Sequence, residues 1–314
     1  QGGAANVQEA FLYLTSQYLK TTNLTPKAVM ETPAIGLFHP DLVDAGEDFF
    51  ESPAEYLQWF HKAKPDMPKD APVAAVLLFR KHVITKQQYL GQLVRTMEDQ
   101  GVVPVPIFIN GVEAHTVVRD MLTTAHEQAE RAAGRFEIDS LKNDAVVVDA
   151  VVNTIGFPLV GGPAGTMEAG RQVDVAKSIL AAKNVPYVVA GPLLIQDIAS
   201  WVRDGIQGLQ SVALYALPEL DGAIDTVTLG GLVNDDIYLA TERIIQLARR
   251  IKKWVQLRHT PTAERKVACI VYGFPPGVGA TGTAALLNVP RSIDALLARF
   301  AEEGYSVAAP GHKP

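Results

Sequence analysis

The sequence predicts an α/β protein with doubly wound, mostly parallel sheets, arranged in two α/β units behind an N-terminal helical and linker segment. The run Val73–Phe79 is apolar throughout, as is typical of a strand buried on both faces. From that run onward, strand-like segments alternate with helical patterns, which indicates parallel strand–helix units. The 314 residues are 48% hydrophobic and 20% charged, which is enough apolar material for a sizeable core.

Composition shifts divide the chain into three expected parts. Residues 1–70 are expected to form an N-terminal helix, a short strand and a linker. Residues 71–204 are expected to form a Rossmann-like or flavodoxin-like domain. Residues 205–314 are expected to form a second α/β unit with a glycine-rich loop, and this unit is expected to continue past Pro314.

The elements of the first two parts follow from periodicity and from proline and glycine positions. The predicted strands are 33–40, Val73–Phe79, Val103–Ile109, 145–155 and 187–190. The predicted helices are 1–20, 55–62, 86–100, 111–131 and 168–183, and the linker 64–72 is rich in proline and charge. In the helix 86–100, one face is apolar through Tyr89, Leu90, Leu93, Val94 and Met97.

The third part begins with a change of pattern after residue 207. Two strands, 212–217 and 226–229, are predicted to flank the acidic turn 218–225. A long amphipathic helix is predicted at 235–257, a strand at 267–272 that contains the single cysteine Cys269, a helix at 291–303 and a strand at 305–309.

A glycine-rich loop follows the predicted strand 267–272. Gly277, Gly279 and Gly282 stand at G-x-G-x-x-G spacing, and Thr283 is placed to cap the next helix. Such a loop is typical of an anion or cofactor cradle. A dinucleotide site usually has an acid at the end of the next strand, and none stands at 305–309. A structural glycine turn is therefore the alternative.

Five other residues are candidates for chemistry. Glu219 and Asp221 could offer oxygen ligands to Mg²⁺, and a solvated acidic turn is the favoured alternative. His39 stands at the end of a predicted strand, where it is a candidate metal ligand or a capping or core residue. His82 follows the first strand of the doubly wound unit with Arg80 beside it, as a candidate ligand contact or part of a solvated loop.

Charge and absent motifs exclude several function classes. The net charge of −6 and the pI near 5.7 leave no broad basic face for nucleic acid. No apolar run is long enough for a transmembrane helix. No G-x-x-x-x-G-K-[ST] pattern occurs, so any ATP used by this system is expected to be hydrolysed by another polypeptide.

The amino-acid sequences of several segments resemble those of a known family. The segment FPPGVGATGTAALLNVPRS at 274–292, followed by LLARFAEEGYSV, resembles the large H subunit of magnesium chelatase, and less closely the related cobaltochelatase large subunit. Further segments resemble the same family in the same order. They are 33–41, 73–108, 150–164, 184–193 and 212–222.

The resemblance implies a portion of a porphyrin-binding subunit. In that family, Mg²⁺ is inserted into protoporphyrin IX for (bacterio)chlorophyll synthesis, while two smaller ATPase-type subunits hydrolyse ATP. The location would be the bacterial cytoplasm, or the plastid stroma in a plant or alga. The loop from Gly277 to Thr283 would serve the tetrapyrrole by its shape, and the catalytic residues would lie beyond Pro314. A cobaltochelatase of cobalamin synthesis and a non-catalytic binding module remain the alternatives.

Overall fold

The computed structural model describes residues 3–20, 23–45, 49–110, 114–135, 141–160, 173–271 and 287–307. The chain divides into two compact units, Gln1–Lys252 and Lys253–Pro314. The elements, in chain order, are α1 (Ala4–Leu14), β1 (Gly36–Leu37), α2 (Pro40–Ala45), α3 (Pro53–Ala63), β2 (Val73–Phe79), α4 (Arg80–Ile84), α5 (Gln88–Asp99), β3 (Val103–Ile109), α6 (Ala114–Asp120), β4 (Leu122–Thr123), α7 (Ala125–Ala132), β5 (Val146–Val147), β6 (Ala150–Asn153), α8 (Val173–Lys183), β7 (Tyr187–Val189), β8 (Pro192–Asp197), α9 (Ile198–Asp204), α10 (Leu209–Ser211), α11 (Leu217–Asp221), β9 (Asp225–Thr226), β10 (Gly230–Val233), β11 (Asp236–Leu239), α12 (Thr241–His259) and α13 (Val289–Glu302).

The larger unit is built on a six-stranded sheet in the order β1-β3-β2-β6-β7-β9. Every neighbouring pair is parallel except β1 with β3. The five parallel strands therefore follow the 2-1-3-4-5 order of flavodoxin-like doubly wound folds, with the switch point between β2 and β6. The α/β fold with mostly parallel sheets is confirmed.

The first strands and the helix between them agree closely with their sequence patterns. Strands β2 and β3 have the predicted bounds, and the two strands pair in register from Val73 with Val103 onward. Helix α5 buries the predicted apolar face of Tyr89, Leu90, Leu93, Val94 and Met97. Gly101, with φ of +69°, follows the helix in a backbone conformation that suits glycine.

The predicted helix 111–131 is wrong as a continuous element. Within the described residues it is divided into α6 and α7 by the buried strand β4, which pairs with β5. The Thr124 hydroxyl then accepts a hydrogen bond from the Glu127 backbone N–H at 3.1 Å. This N-cap begins a new helix where the pattern suggested an uninterrupted one.

The predicted strand 212–217 and acidic turn are also wrong. Residues Val212–Ala216 form a π-helical turn that continues into α11, with Pro218 in the first turn of that helix. Only Leu214 of the π-helical turn is buried, so this segment lies as a half-exposed helical surface element. The predicted helix 235–257 begins later, as α12, because residues before it form the hairpin of β10 and β11.

A second sheet extends the core sheet beyond its carboxyl end, and we call it the extension sheet (β11-β10-β8). Strand β8 follows β7 after Ala190 and Gly191, and the Leu229 N–H donates to the Gly191 carbonyl at 3.0 Å. A Cβ at Gly230 would collide with the Tyr238 carbonyl oxygen, so only glycine fits there. Strand β9 joins the core sheet, so the division expected near residue 205 does not coincide with the compact units.

The smaller unit is mostly helical in its described part. The Asn288 side chain accepts from the Arg291 N–H at 3.2 Å and caps α13. The predicted strand 267–272 is wrong over 267–271, which form no strand and are exposed, Ile270 at 94%. Cys269 is exposed as well, and residues 305–307 likewise form no strand. Gly277, Gly279, Gly282 and Thr283 lie outside the described residues.

Candidate functional site

The candidate site is the carboxyl edge, which we define as the residues that follow β2, β6, β7 and β9. Backbone hydrogen bonds join these segments: Thr154 N–H donates to the Leu77 carbonyl, and Ala190 N–H donates to the Asn153 carbonyl. The switch point between β2 and β6 lies on this edge, and doubly wound folds bind ligands at that position.

His82 stands beside the switch point, in the first helix after β2. Its ring lies 5.2 Å from that of Phe79, which in turn lies 6.0 Å from the ring of Phe157. Burial, and then the charge of Lys81, lower the pKa of His82 to about 4, so the imidazole is neutral near neutral pH. His82 is thus placed in a short helix and half-buried, rather than in a solvated loop.

The hydrogen bond to Tyr89 decides which imidazole nitrogen carries the proton. The Tyr89 hydroxyl lies 2.7 Å from His82 Nδ1, and burial raises the pKa of Tyr89. A buried hydroxyl needs an acceptor, so Tyr89 donates to Nδ1 and the ring proton stays on Nε2. His82 is therefore suited to donate a hydrogen bond to a ligand, and poorly suited to act as a base.

Arg80 has a different role from the one its position suggested. Its Nε donates to the Pro33 carbonyl at 2.7 Å, and another guanidinium nitrogen donates to the Thr32 carbonyl. These bonds fasten the N-terminal connector to the first turn of α4. The guanidinium is engaged with backbone carbonyls.

The loop after β6 is held in place by buried polar groups. Asn153 donates to the Phe157 carbonyl at 2.8 Å and to the Tyr187 hydroxyl at 2.9 Å, while its Oδ1 accepts from the Ile155 N–H. Sequence reasoning missed Asn153, although a polar residue at the end of an apolar strand was a usable signal. These hydrogen bonds fix the start of the loop relative to β6 and β7.

Glu219 and Asp221 have different environments. Both are on α11, where Asp221 is fully buried and accepts from the Leu159 N–H at 2.9 Å, while Glu219 is exposed. The nearby Asp225 is paired with Arg250. Across the described ranges, no group of three His, Cys, Asp or Glu residues is arranged to hold a metal ion.

His39 lies at the opposite edge of the sheet. Because β1 runs antiparallel to β3, the end of β1 lies toward the start of the parallel strands. The fully buried imidazole binds Glu98 through Nε2 at 2.7 Å and accepts the Asp41 N–H at Nδ1. Lys64 bridges Asp41 and Glu98 at 2.8 and 3.1 Å. Both ring nitrogens are used in these hydrogen bonds, as expected of a core histidine.

Sequence reasoning also missed a polar cluster where β9 ends. The hydroxyls of Tyr215 and Thr228 are hydrogen-bonded to each other. Burial raises the pKa of Tyr215 to about 12, and the charge of Arg243 acts against that rise. The Arg243 guanidinium lies 5.3 Å from the ring centre of Trp201. The residues come from different elements, so no local motif marks them.

None of the helices among the described residues is long and apolar enough to cross a membrane. A family model described as CobN/Magnesium Chelatase matches residues 1–314. The magnesium-chelatase H subunit of Chlorobaculum parvum is 35% identical over 309 residues, which cover 98% of this chain and 22% of that protein. The chloroplastic ChlH subunit of magnesium chelatase from Oryza sativa subsp. indica is 31% identical over 283 residues, which cover 87% of this chain and 18% of that protein.

A solved structure shares the fold. The catalytic subunit of cobaltochelatase from Mycobacterium tuberculosis matches with a TM-score of 0.59 and 22% identity, covering 98% of this chain and 22% of that chain. The chain thus spans about a fifth of the length of these relatives.

Proposed function

Because the chain belongs to the CobN/Magnesium Chelatase family, we propose that it is a portion of the porphyrin-binding H subunit of a magnesium chelatase. The observation that carries this proposal is the identity of 35% and 31% to two magnesium-chelatase H subunits, against 26% to an aerobic cobaltochelatase CobN subunit. The complete enzyme would insert Mg²⁺ into protoporphyrin IX on the route to (bacterio)chlorophyll. ATP would be hydrolysed by two smaller partner subunits.

The chemistry of insertion limits what this portion contributes. Mg²⁺ prefers oxygen ligands and loses its water reluctantly, and two pyrrole N–H protons have to leave the ring. His82 is a weak base with a pKa of about 4, so it does not suit the removal of those protons. The described part of the chain better supports binding and orienting of the macrocycle. We place the proton-accepting and metal-delivering groups in the rest of the subunit.

The carboxyl edge offers surfaces that suit a flat aromatic ligand. The rings of Phe79 and Phe157 are apolar, and His82 supplies a neutral N–H donor beside them. A site of this kind, mostly apolar with a few fixed polar groups, is typical of cofactor-sized ligands. Separately, the glycine segment from Gly277 to Thr283 remains proposed to approach a tetrapyrrole or a neighbouring domain, because glycine lets backbone come close.

A porphyrin titration tests the proposal. The chain and a full-length subunit that contains it are titrated with deuteroporphyrin IX, and tryptophan fluorescence quenching is followed. Saturable binding to both, weakened by Phe157→Ala and unaffected by the remote Arg135→Ala, is the expected result. Saturable binding to the full-length subunit alone would favour a non-catalytic scaffold role for this portion.

The metal is tested separately. The full-length subunit with its partner subunits and ATP is supplied with Mg²⁺ or Co²⁺, and the metalloporphyrin spectrum is recorded. Formation of magnesium porphyrin supports the proposal. Activity with Co²⁺ alone would identify a cobaltochelatase.

A further inference from the structure

We propose that Arg243, stacked on Trp201 beside the Tyr215–Thr228 pair, forms a carboxylate-binding subsite at the far end of the carboxyl edge. The subsite would bind a carboxylate substituent of the macrocycle, and this identification of the ligand rests on the proposed function. It is supported by the stacking of Arg243, the hydrogen-bonding capacity of the two hydroxyls and the span of the sheet edge.

Arg243 is held in place without being neutralised. It is exposed on the first turn of α12, and its guanidinium lies 5.3 Å from the Trp201 ring centre. A guanidinium stacked on an aromatic face keeps its N–H edge available for a carboxylate. Among the described residues Arg243 forms no ion pair, whereas Arg250 on the same helix is paired with Asp225. A guanidinium that lies over a ring and has no carboxylate partner among the described residues can recognise an incoming carboxylate bidentately.

The two hydroxyls next to it leave one donor to spare. Each hydroxyl carries one O–H, and the hydrogen bond between Tyr215 and Thr228 uses only one of the two protons. Burial keeps the Tyr215 phenol protonated, with its pKa raised to about 12. The remaining O–H can donate to an anion held by Arg243. The Ala240 N–H, just before α12, donates to the Leu229 carbonyl at 2.9 Å, which places the first turn of that helix, with Arg243, next to Thr228.

The position of the cluster sets the size of the ligand. Thr228 lies between Val227 and Leu229, whose N–H groups donate to the carbonyls of Val189 and Gly191, so the cluster stands on the carboxyl edge at β9. His82 stands at β2, three strand spacings away across β6 and β7. At about 4.8 Å per spacing, the two ends are roughly 14 Å apart. A ligand that reaches both is a broad macrocycle with acidic arms, not a single small anion.

The test compares a dicarboxylic porphyrin with its ester. Wild type, Arg243→Gln, Arg243→Lys and the control Arg249→Gln, which alters another exposed arginine of α12, are titrated with deuteroporphyrin IX and with its dimethyl ester. Loss of a charge-assisted bidentate contact should weaken the dicarboxylate about tenfold in Arg243→Gln. The lysine variant should recover part of that loss, and the ester should bind every variant alike. Matching melting temperatures verify that the variants fold.

The outcomes separate this subsite from the proposed function. Equal dicarboxylate affinity in wild type and Arg243→Gln would overturn the subsite while leaving porphyrin binding intact. If the wild type binds no porphyrin, the proposed function fails, and the indole N–H signal of Trp201 is then followed by NMR with glutarate and with inorganic phosphate. A glutarate shift that disappears in Arg243→Gln supports a carboxylate subsite. No shift, or a shift with phosphate only, overturns it.

Discussion

Removal of the Glu127 carboxylate is predicted to be among the most damaging single changes in the larger unit. Glu127 and Lys183 have side chains only 1% and 2% exposed, and Lys183 Nζ lies 2.7 Å from Glu127 Oε2. The same ammonium donates to the carbonyls of Arg119 and Leu122, and so it joins α8 to the end of α6 and to β4. Glu127→Ala leaves these two carbonyls and removes the carboxylate that is bonded to the ammonium, so that Asp120 acts on it only at longer range.

The expected magnitude follows from the burial of both partners. Breaking a buried ion pair by removing one partner costs about 3–5 kcal/mol, because the other charge stays buried. At about 2–4 °C per kcal/mol for a unit of this size, the melting temperature should fall by roughly 6–20 °C. Arg131, the other partner of Glu127, is 23% exposed, so its charge is less completely buried than that of Lys183. Thermal denaturation followed by circular dichroism measures the change.

The pH dependence gives a second check with a defined sign. Burial lowers the pKa of Lys183, while Glu127 acts to raise it, so the variant should lower that pKa further. Between the folded pKa and the unfolded value near about 10.4, the unfolded chain binds more protons, and stability therefore rises with pH. The deficit of Glu127→Ala should consequently shrink from neutral to mildly alkaline pH, as measured by urea midpoints.

The control is a surface pair between helix α7 and the residues that follow it. Glu130 pairs with Arg135, whose side chain is 63% exposed, so Glu130→Ala should melt like the wild type. The predicted role of the buried pair is refuted if Glu127→Ala melts within about 2 °C of the wild type, which corresponds to less than about 1 kcal/mol. A deficit that grows with pH would equally contradict it.

Three further predictions concern other parts of the larger unit. Gly230→Ala should lower the melting temperature, because the added Cβ would collide with the Tyr238 carbonyl oxygen. The control Gly91→Ala should be tolerated, because the nearest atom to its Cβ would be 3.5 Å away. Similar melting temperatures of the two variants would contradict this prediction. Brief proteolysis should first cut within 64–72 and 203–210, and mass spectrometry that finds early cuts inside Val73–Phe79 would refute the prediction. His82 should titrate by NMR with a pKa of about 4, so its contribution to stability should be lost as pH falls from about 6.5 toward that value; a midpoint near 6.5 would be the contrary result.

Elements whose signal is local were predictable from the sequence. Strands β2 and β3 are uninterrupted apolar runs, and helix α5 carries a complete amphipathic face, so each pattern has one structural solution. The break in the helix 111–131 was also encoded, because Thr124 and Glu127 stand at capping-box spacing, with the Thr124 hydroxyl accepting from the Glu127 N–H. The prediction followed the apolar periodicity of the whole segment and did not use this capping signal.

Elements whose structure depends on distant partners were not predictable. The segment 267–271 has the composition of a strand, but it pairs with no strand among the described residues. His39 follows a strand as predicted, yet only the antiparallel pairing of β1 shows that it lies away from the carboxyl edge. Likewise, Arg243 and Trp201 are separated in sequence, and only the packing of α9 and α12 brings them together.

The two edges of the core sheet bear on how this protein avoids self-association. Its outer strands, β1 and β9, are only two residues long, so they offer little backbone to which another chain could pair. The long uncharged strands β2 and β3, which would be the most prone to cross-β pairing, occupy the interior of the sheet. Protection against aggregation is therefore a property of the folded state, and variants that unfold the sheet should first be recognised by poor solubility during expression.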